Sequence, residues 1–184
     1  MRKMGRVVAL AFLWGLSFFH EALAADPQEG SGPSHPETWL QPVMPSLVLQ
    51  DLSGRRVRTA ALSGHPLLLL NFMAPWCEPC LKEIPSLLRL TRSADRDIAV
   101  VGVLEGPVNP ETLKPFLRKS GVSFPLIRDP AMRFSRALGV RGLPSTFLVD
   151  SGGHIVSRVS GAVDWNDPRV RRYLKSFISS KAGF

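Results

Sequence analysis

The chain has 184 residues, 45% of them apolar and 21% charged, with a formal net charge of +8. That length supports one compact domain with its own core and leaves little room for two, and the composition is that of a globular chain rather than a disordered one. The basic residues are scattered and form no run interleaved with aromatics, so the charge reads as a solvated surface and a nucleic-acid partner is not expected.

Arg2, Lys3 and Arg6 make a positive start, and Val7 to Phe19 is an almost unbroken apolar run. The run is about 13 residues long, short of the about 20 that a bilayer span needs. Ala22-Leu23-Ala24 then supplies a small-x-small site. This is the layout of a secretory signal over residues 1–24, cleaved after Ala24. The alternative is an uncleaved membrane anchor, and either one places the folded part in an extracytoplasmic, periplasmic space. Residues 25–42 are rich in Pro, Gly, Ser and acid, can bury little apolar surface, and read as a flexible leader. The folded domain is expected over 43–184.

Ser46 to Gln50 alternates weakly and reads as an edge strand, with Ser53-Gly54 as a turn and Arg55 to Thr59 pairing back as a hairpin. Leu67 to Phe72 is a continuous apolar run, as expected of a strand buried on both faces. Cys77 to about Arg92 reads as a helix with Leu81, Ile84, Leu87 and Leu88 on one side. Ile98 to Leu104 is a second buried strand. Asn109-Pro110-Glu111 starts a helix that ends near Gly121. Phe124 to Ile127 is a short strand, and Asp129-Pro130 caps a helix that stops at Gly139. Thr146 to Val149 and Ile155 to Val159 flank Ser151-Gly152-Gly153 as a hairpin, and Asp167-Pro168 opens a final helix to about Ser179. The pattern is α/β, with a mixed central sheet flanked by helices.

Cys77 and Cys80 are the only cysteines, set in Trp76-Cys77-Glu78-Pro79-Cys80. A structural bridge between such close residues closes a tiny loop and constrains the unfolded chain little. Structural zinc wants four ligands, and His35, His65 and His154 stand alone without paired spacing, so no metal site is expected. A Cys-x-x-Cys pair at the end of a βα unit is instead the signature of a redox dithiol. The attacking species is a thiolate. Cys77 at a helix N-terminus meets unsatisfied N–H groups and the helix dipole, which favour the anion. Cys80 lies one turn further in, placed to attack a mixed disulfide formed on Cys77. Trp76 and Pro75 shape the approach. Glu78 between the cysteines disfavours the thiolate weakly, because it is solvated, and tilts the pair toward reduction.

Leu70-Asn71-Phe72, Trp76-Cys77-Glu78-Pro79-Cys80, Glu83, Pro85 and Gly142-Leu143-Pro144-Ser145-Thr146-Phe147-Leu148-Val149-Asp150 resemble the thioredoxin superfamily, and more closely its exported TlpA/ResA/CcmG-like branch. The match runs from about Pro42 to Phe177. The resemblance implies a thioredoxin-like fold with an N-terminal hairpin and a central insertion at Gly106–Phe124. It implies that Pro144 is the cis-proline facing the dithiol, the alternative being a trans turn proline. Leu143, Trp76, Glu78 and Pro79 would then help bind substrate, and Pro85 would kink the active-site helix. Asn71 stands where cytoplasmic thioredoxins carry a buried Asp, and Met73 where many relatives carry Trp. Glu105, ending the second buried strand, is the candidate replacement acid. A desolvated carboxyl there would exchange protons with Cys80, the alternative being an ordinary strand-end carboxylate in water.

The function expected is an extracytoplasmic thiol–disulfide oxidoreductase that reduces protein disulfides and needs no cofactor beyond the Cys77–Cys80 pair. Its partners would be disulfide-containing protein substrates and a membrane thiol-relay electron donor. The resemblance suggests a role in cytochrome c maturation or copper-site assembly. Two rivals stand beside it: a dithiol oxidase for protein folding, and a non-catalytic module using the two thiols as soft metal ligands. With no further cysteine in the chain, a peroxidase role is not expected.

Overall fold

The computed structural model describes residues 42–92 and 97–179. The export signal at 1–24 and the leader at 25–42, Pro42 excepted, lie outside the described residues. Pro42 already belongs to the fold: its carbonyl accepts the Ile155 N–H at 2.9 Å, and Met44 N–H donates to the Gly153 carbonyl at 2.8 Å.

The elements in chain order are β1 (Val48–Asp51), β2 (Arg56–Arg58), a 3-10 turn (Thr59–Leu62), β3 (Leu67–Met73), α1 (Glu78–Arg92), β4 (Ile98–Glu105), α2 (Pro110–Ser120), β5 (Leu126–Asp129), α3 (Arg133–Ala137), β6 (Ser145–Asp150), β7 (Ile155–Ser160) and α4 (Pro168–Ser179). They build one seven-stranded sheet in the order β2-β1-β5-β4-β3-β6-β7. β3, β4 and β5 run parallel, while β6 returns antiparallel beside β3.

The apolar run of β3 is central in this sheet, and all seven of its residues are buried. Burying each Leu contributes about 1.5–3 kcal/mol. Its side chains alternate between faces, as the two-residue period of a strand requires. Leu67, Leu69 and Met73 pack with Ile84, Leu87 and Leu90 of α1, Phe116 of α2, and Trp165 and Leu174. Leu68, Leu70 and Phe72 pack on the other side with Met44, Leu49, Phe134 and Phe147. Pro85 lies inside α1 and lacks the N–H that would bond the Leu81 carbonyl. Gly102 in β4 is required by close packing: a Cβ there would collide with Leu126 Cδ2.

Two sequence expectations need correction. The first strand is interior, because β1 pairs with β2 on one side and β5 on the other. The edge falls to β2, whose Arg56 and Arg58 are exposed and guard it against further pairing. Asp129-Pro130 does not open a helix locally. Asp129 ends β5, and its carboxylate reaches forward to accept the N–H groups of Arg133, Phe134 and Ser135 at 2.9, 3.0 and 2.9 Å. The helix therefore begins three residues past Pro130, after Met132 takes a left-handed φ of 52°. In contrast, the Asn109 cap of α2 forms as expected, with Oδ1 accepting Glu111 N–H at 2.8 Å.

Candidate active site

β3 delivers the chain to the dithiol. Past Met73 it turns, with Cys77 N–H donating to the Ala74 carbonyl at 3.1 Å, and α1 starts at Glu78. Cys77 and Cys80 are joined, with Cα atoms 5.3 Å apart. The Cys80 N–H points at Cys77 Sγ at 3.3 Å. When the pair is reduced, this N–H and the helix N-terminus are the groups that favour a Cys77 anion.

An open cleft of about 530 Å3 lies against one side of the dithiol, lined by Trp76, Cys77, Glu78, Pro79, Glu105, Val140, Arg141, Gly142 and Leu143. Every residue expected at the site from sequence lines this cleft except Cys80 and Pro144. Trp76 is 76% exposed. The Leu143–Pro144 peptide is cis, as the resemblance implied, and Pro144 is buried. Ser145 Oγ donates to the Gly142 carbonyl at 2.7 Å, and Gly161 N–H donates to the Pro144 carbonyl at 2.9 Å. Val140, Arg141 and Gly142 were not expected in the cleft wall. A larger cleft of about 930 Å3 opens beside the starts of β3, β4 and β5 and shares no residue with the dithiol cleft.

Glu78 is exposed, as expected, and it also pairs with Lys82, whose Nζ lies 2.8 Å from Oε1. The hydrogen bond and charge of Lys82, with Lys119 of α2 adding, hold its carboxyl below the usual range. Much of its charge is thus compensated before it can act on Cys77.

The other side of the dithiol is closed. Cys80 is 1% exposed and meets no solvent cleft. One turn on, Glu83 is also buried at 2%. Residues three apart on a helix are neighbours, so these two side chains share the inner face of α1. Burial pushes the Glu83 carboxyl above its ordinary value, while hydrogen bonds from Trp165, Asn71 and the Val163 backbone pull against that rise. Trp165 Nε1 and Val163 N–H donate to Oε1, the latter at 3.4 Å. Asn71 Nδ2 donates to Oε2 at 3.1 Å and to Thr146 Oγ1 at 2.8 Å. Asn71 Oδ1 is buried with no protein partner. Glu105, the acid expected from sequence, is half-exposed at the end of β4. The buried carboxyl on the Cys80 side is Glu83. Its signal was a carboxylate on the apolar stripe of α1, between Cys80 and Leu87.

Among the described residues no group of three or more His, Cys, Asp or Glu side chains is placed to hold a metal ion. The arrangement offers one sulfur on a residue 4% exposed in the wall of an open cleft, a second sulfur behind it, and a buried acid one turn on from the second.

Comparison with known proteins agrees with this geometry. Residues 41–158 match the AhpC/TSA family. The chain is 34% identical over 122 residues to the thiol-disulfide oxidoreductase ResA of Bacillus subtilis, covering 65% of this chain and 66% of that protein. It is 33% identical over 135 residues to ResA of Geobacillus thermodenitrificans, covering 72% and 74%. A Chlorobium tepidum structure described as the thiol:disulfide interchange protein DsbE superimposes with a TM-score of 0.66 at 22% identity, covering 75% of this chain and 96% of that one. The fold is thioredoxin-like, a mixed sheet flanked by helices.

Proposed function

The chain belongs to the AhpC/TSA family and is a thiol–disulfide oxidoreductase related to ResA, and from that premise we propose that it reduces protein disulfides outside the cytoplasm. Cys77 is the attacking sulfur and Cys80 the resolving one. One observation carries this assignment: Cys77 lines the open cleft and Cys80 does not.

The reduced enzyme attacks a substrate disulfide through the Cys77 thiolate. A Cys77–substrate disulfide forms, and the first substrate sulfur leaves as a thiolate that takes a proton from water. Cys80 then gives its proton to Glu83 and attacks the Cys77 sulfur. The Cys77–Cys80 bond forms and the second substrate sulfur leaves, taking up the proton. Two electrons pass from enzyme to substrate. A dithiol donor, in this reading a membrane thiol-relay protein, must reduce the pair again. Trp76, Pro79 and Leu143 form the docking surface, with the cis Leu143–Pro144 peptide holding Leu143 in place and Glu78 and Glu105 at its rim.

Export rests on the Arg2–Ala24 pattern, and cell fractionation tests it. The substrate classes suggested by the resemblance are apocytochrome c cysteines before haem attachment and the cysteines of a copper site under assembly.

Trapping tests the assignment. Cys80→Ser is expected to accumulate covalent complexes with substrates through Cys77, and Cys77→Ser is not; equal trapping by both variants overturns the roles. The reduction potential tests direction. A value near or below about −270 mV supports a reductase, and one near about −120 mV makes the enzyme an oxidase.

A further inference from the structure

Glu83 poses a problem for the reaction just described. A carboxyl removed from water favours its neutral form, by up to several pH units when fully buried. A protonated Glu83 cannot take the Cys80 proton. Cations usually solve this, but the interactions that set Glu83 are its burial and three neutral N–H groups. Among the described residues, two charged pairs on neighbouring elements are engaged elsewhere. Arg89 of α1 and Asp164 pair at 3.6 Å on the solvent side, and Lys82 pairs with Glu78. Tyr173 of α4 bonds Ser157 of β7 at 2.8 Å.

In the arrangement shown, the three atoms that touch the carboxylate, Val163 N, Trp165 Nε1 and Asn71 Nδ2, are all donors. The cradle is therefore shaped for the ionised form. Two of the donors, Val163 N–H and Trp165 Nε1–H, come from one loop, residues 161–167 between β7 and α4. That loop is fastened to α1 by Ser86, which follows Glu83 by three residues. Ser86 Oγ shares its one proton between the Glu83 carbonyl at 2.8 Å and the Val163 carbonyl at 3.2 Å, and accepts the Trp165 backbone N–H at 3.2 Å. Trp165 is 1% exposed. A buried indole needs a partner for its N–H, and Glu83 is that partner.

We propose that Trp165 is a positioning residue of the proton relay: its indole N–H, brought by the 161–167 loop and seconded by Asn71, keeps Glu83 available as a carboxylate near neutral pH. This rests on the reading of Glu83 as the acceptor of the Cys80 proton. Trp165 touches neither substrate nor sulfur in the scheme and acts through Glu83 alone.

The test is Trp165→Phe, which keeps most of the ring packing and removes the N–H. Two readouts are taken on the full reduced chain: the titration midpoint of the Glu83 carboxyl by 13C NMR, and the pH profile of the resolving step, followed as release of a thiol from a mixed disulfide on Cys77. The midpoint is expected to rise by about one pH unit, which is tenfold in the ionised fraction. Resolution slows by about tenfold below the wild-type midpoint, and the two profiles converge at high pH. An unmoved midpoint, or a rate lowered by one factor at every pH, overturns the proposal, since that is what a packing role alone produces. Should the variant fail to fold, the wild type suffices. Its Trp165 indole 15N–1H resonance must titrate with the Glu83 midpoint, and a resonance that stays fixed there overturns the proposal. Glu83→Gln separates the two ideas. If Glu83→Gln keeps the wild-type profile, the role of Glu83 falls, and the role of Trp165 with it. If it removes the acid limb while Trp165→Phe leaves that limb in place, only the role of Trp165 falls.

Discussion

Glu78 and Glu83 stand five residues apart on one helix and meet opposite treatment. Glu78 faces solvent beside the cleft, pairs with Lys82 and is held more acidic than usual. Glu83 faces the core, bonds only neutral N–H groups and is pushed less acidic by burial. The same functional group is thus a paired surface charge on the cleft side of the dithiol and a buried, hydrogen-bonded acid on its inner side. Burial and the charge of the partner decide between these roles.

The strongest way to break the comparison is to neutralise each acid in turn. Glu83→Gln is expected to slow the resolving step about 10²-fold at pH 7, the low end for loss of a general base. Glu78→Gln should change it by less than about fivefold, as for an exposed pair. Rapid-mixing kinetics of mixed-disulfide decay check both, and comparable losses would erase the distinction.

Stability against pH gives a smaller effect of opposite sign at two sites. Folding raises the Glu83 pKa above the ordinary 4.5. Between that value and the raised one, the folded chain holds a proton that the unfolded chain has lost, so stability falls as pH rises through the window. Asp51 runs the other way. Hydrogen bonds, the Ser53 hydroxyl first and Arg55 after it, bring its pKa from 3.8 to about 2. Its contribution is present above 3.8 and disappears as pH falls toward about 2. Denaturant titrations should lose the first trend in Glu83→Gln and the second in Asp51→Asn, and curves parallel to wild type would contradict the assignment.

The smallest expected effect is that of Lys82→Gln, which leaves Glu78 less compensated beside Cys77. Alkylation of the reduced protein by iodoacetamide should slow slightly at low salt, and the difference should vanish at high salt, where exposed charges are screened. A large, salt-independent change would mean that Glu78 is not the surface group described here.

Local chemistry carried much of the fold. The apolar run of β3, the Asn109 cap, the Gly121 and Gly139 stops and the β6–β7 turn are each written in a few adjacent residues. Cys77 and Cys80 announce themselves by spacing, and Pro144 by resemblance. Features decided at long range escaped. Whether β1 is edge or interior depends on β5, far along the chain. Glu83 lies within the family match, yet its contact with Trp165, 82 residues away, is joined by no local pattern. The Asp129 carboxylate caps forward across a turn, so its reach cannot be read from the Asp-Pro pair.

The loop 161–167 is hung at two points. Gly161 N–H holds the carbonyl of Pro144 beside the cleft, and four residues later the Trp165 ring reaches Glu83 beneath the dithiol. The length of chain between those anchors is therefore a measured strut, and a residue inserted there would slacken the docking ledge and the acid together. That stretch is constrained in length from both ends, although it contains no cysteine and lines neither of the two clefts.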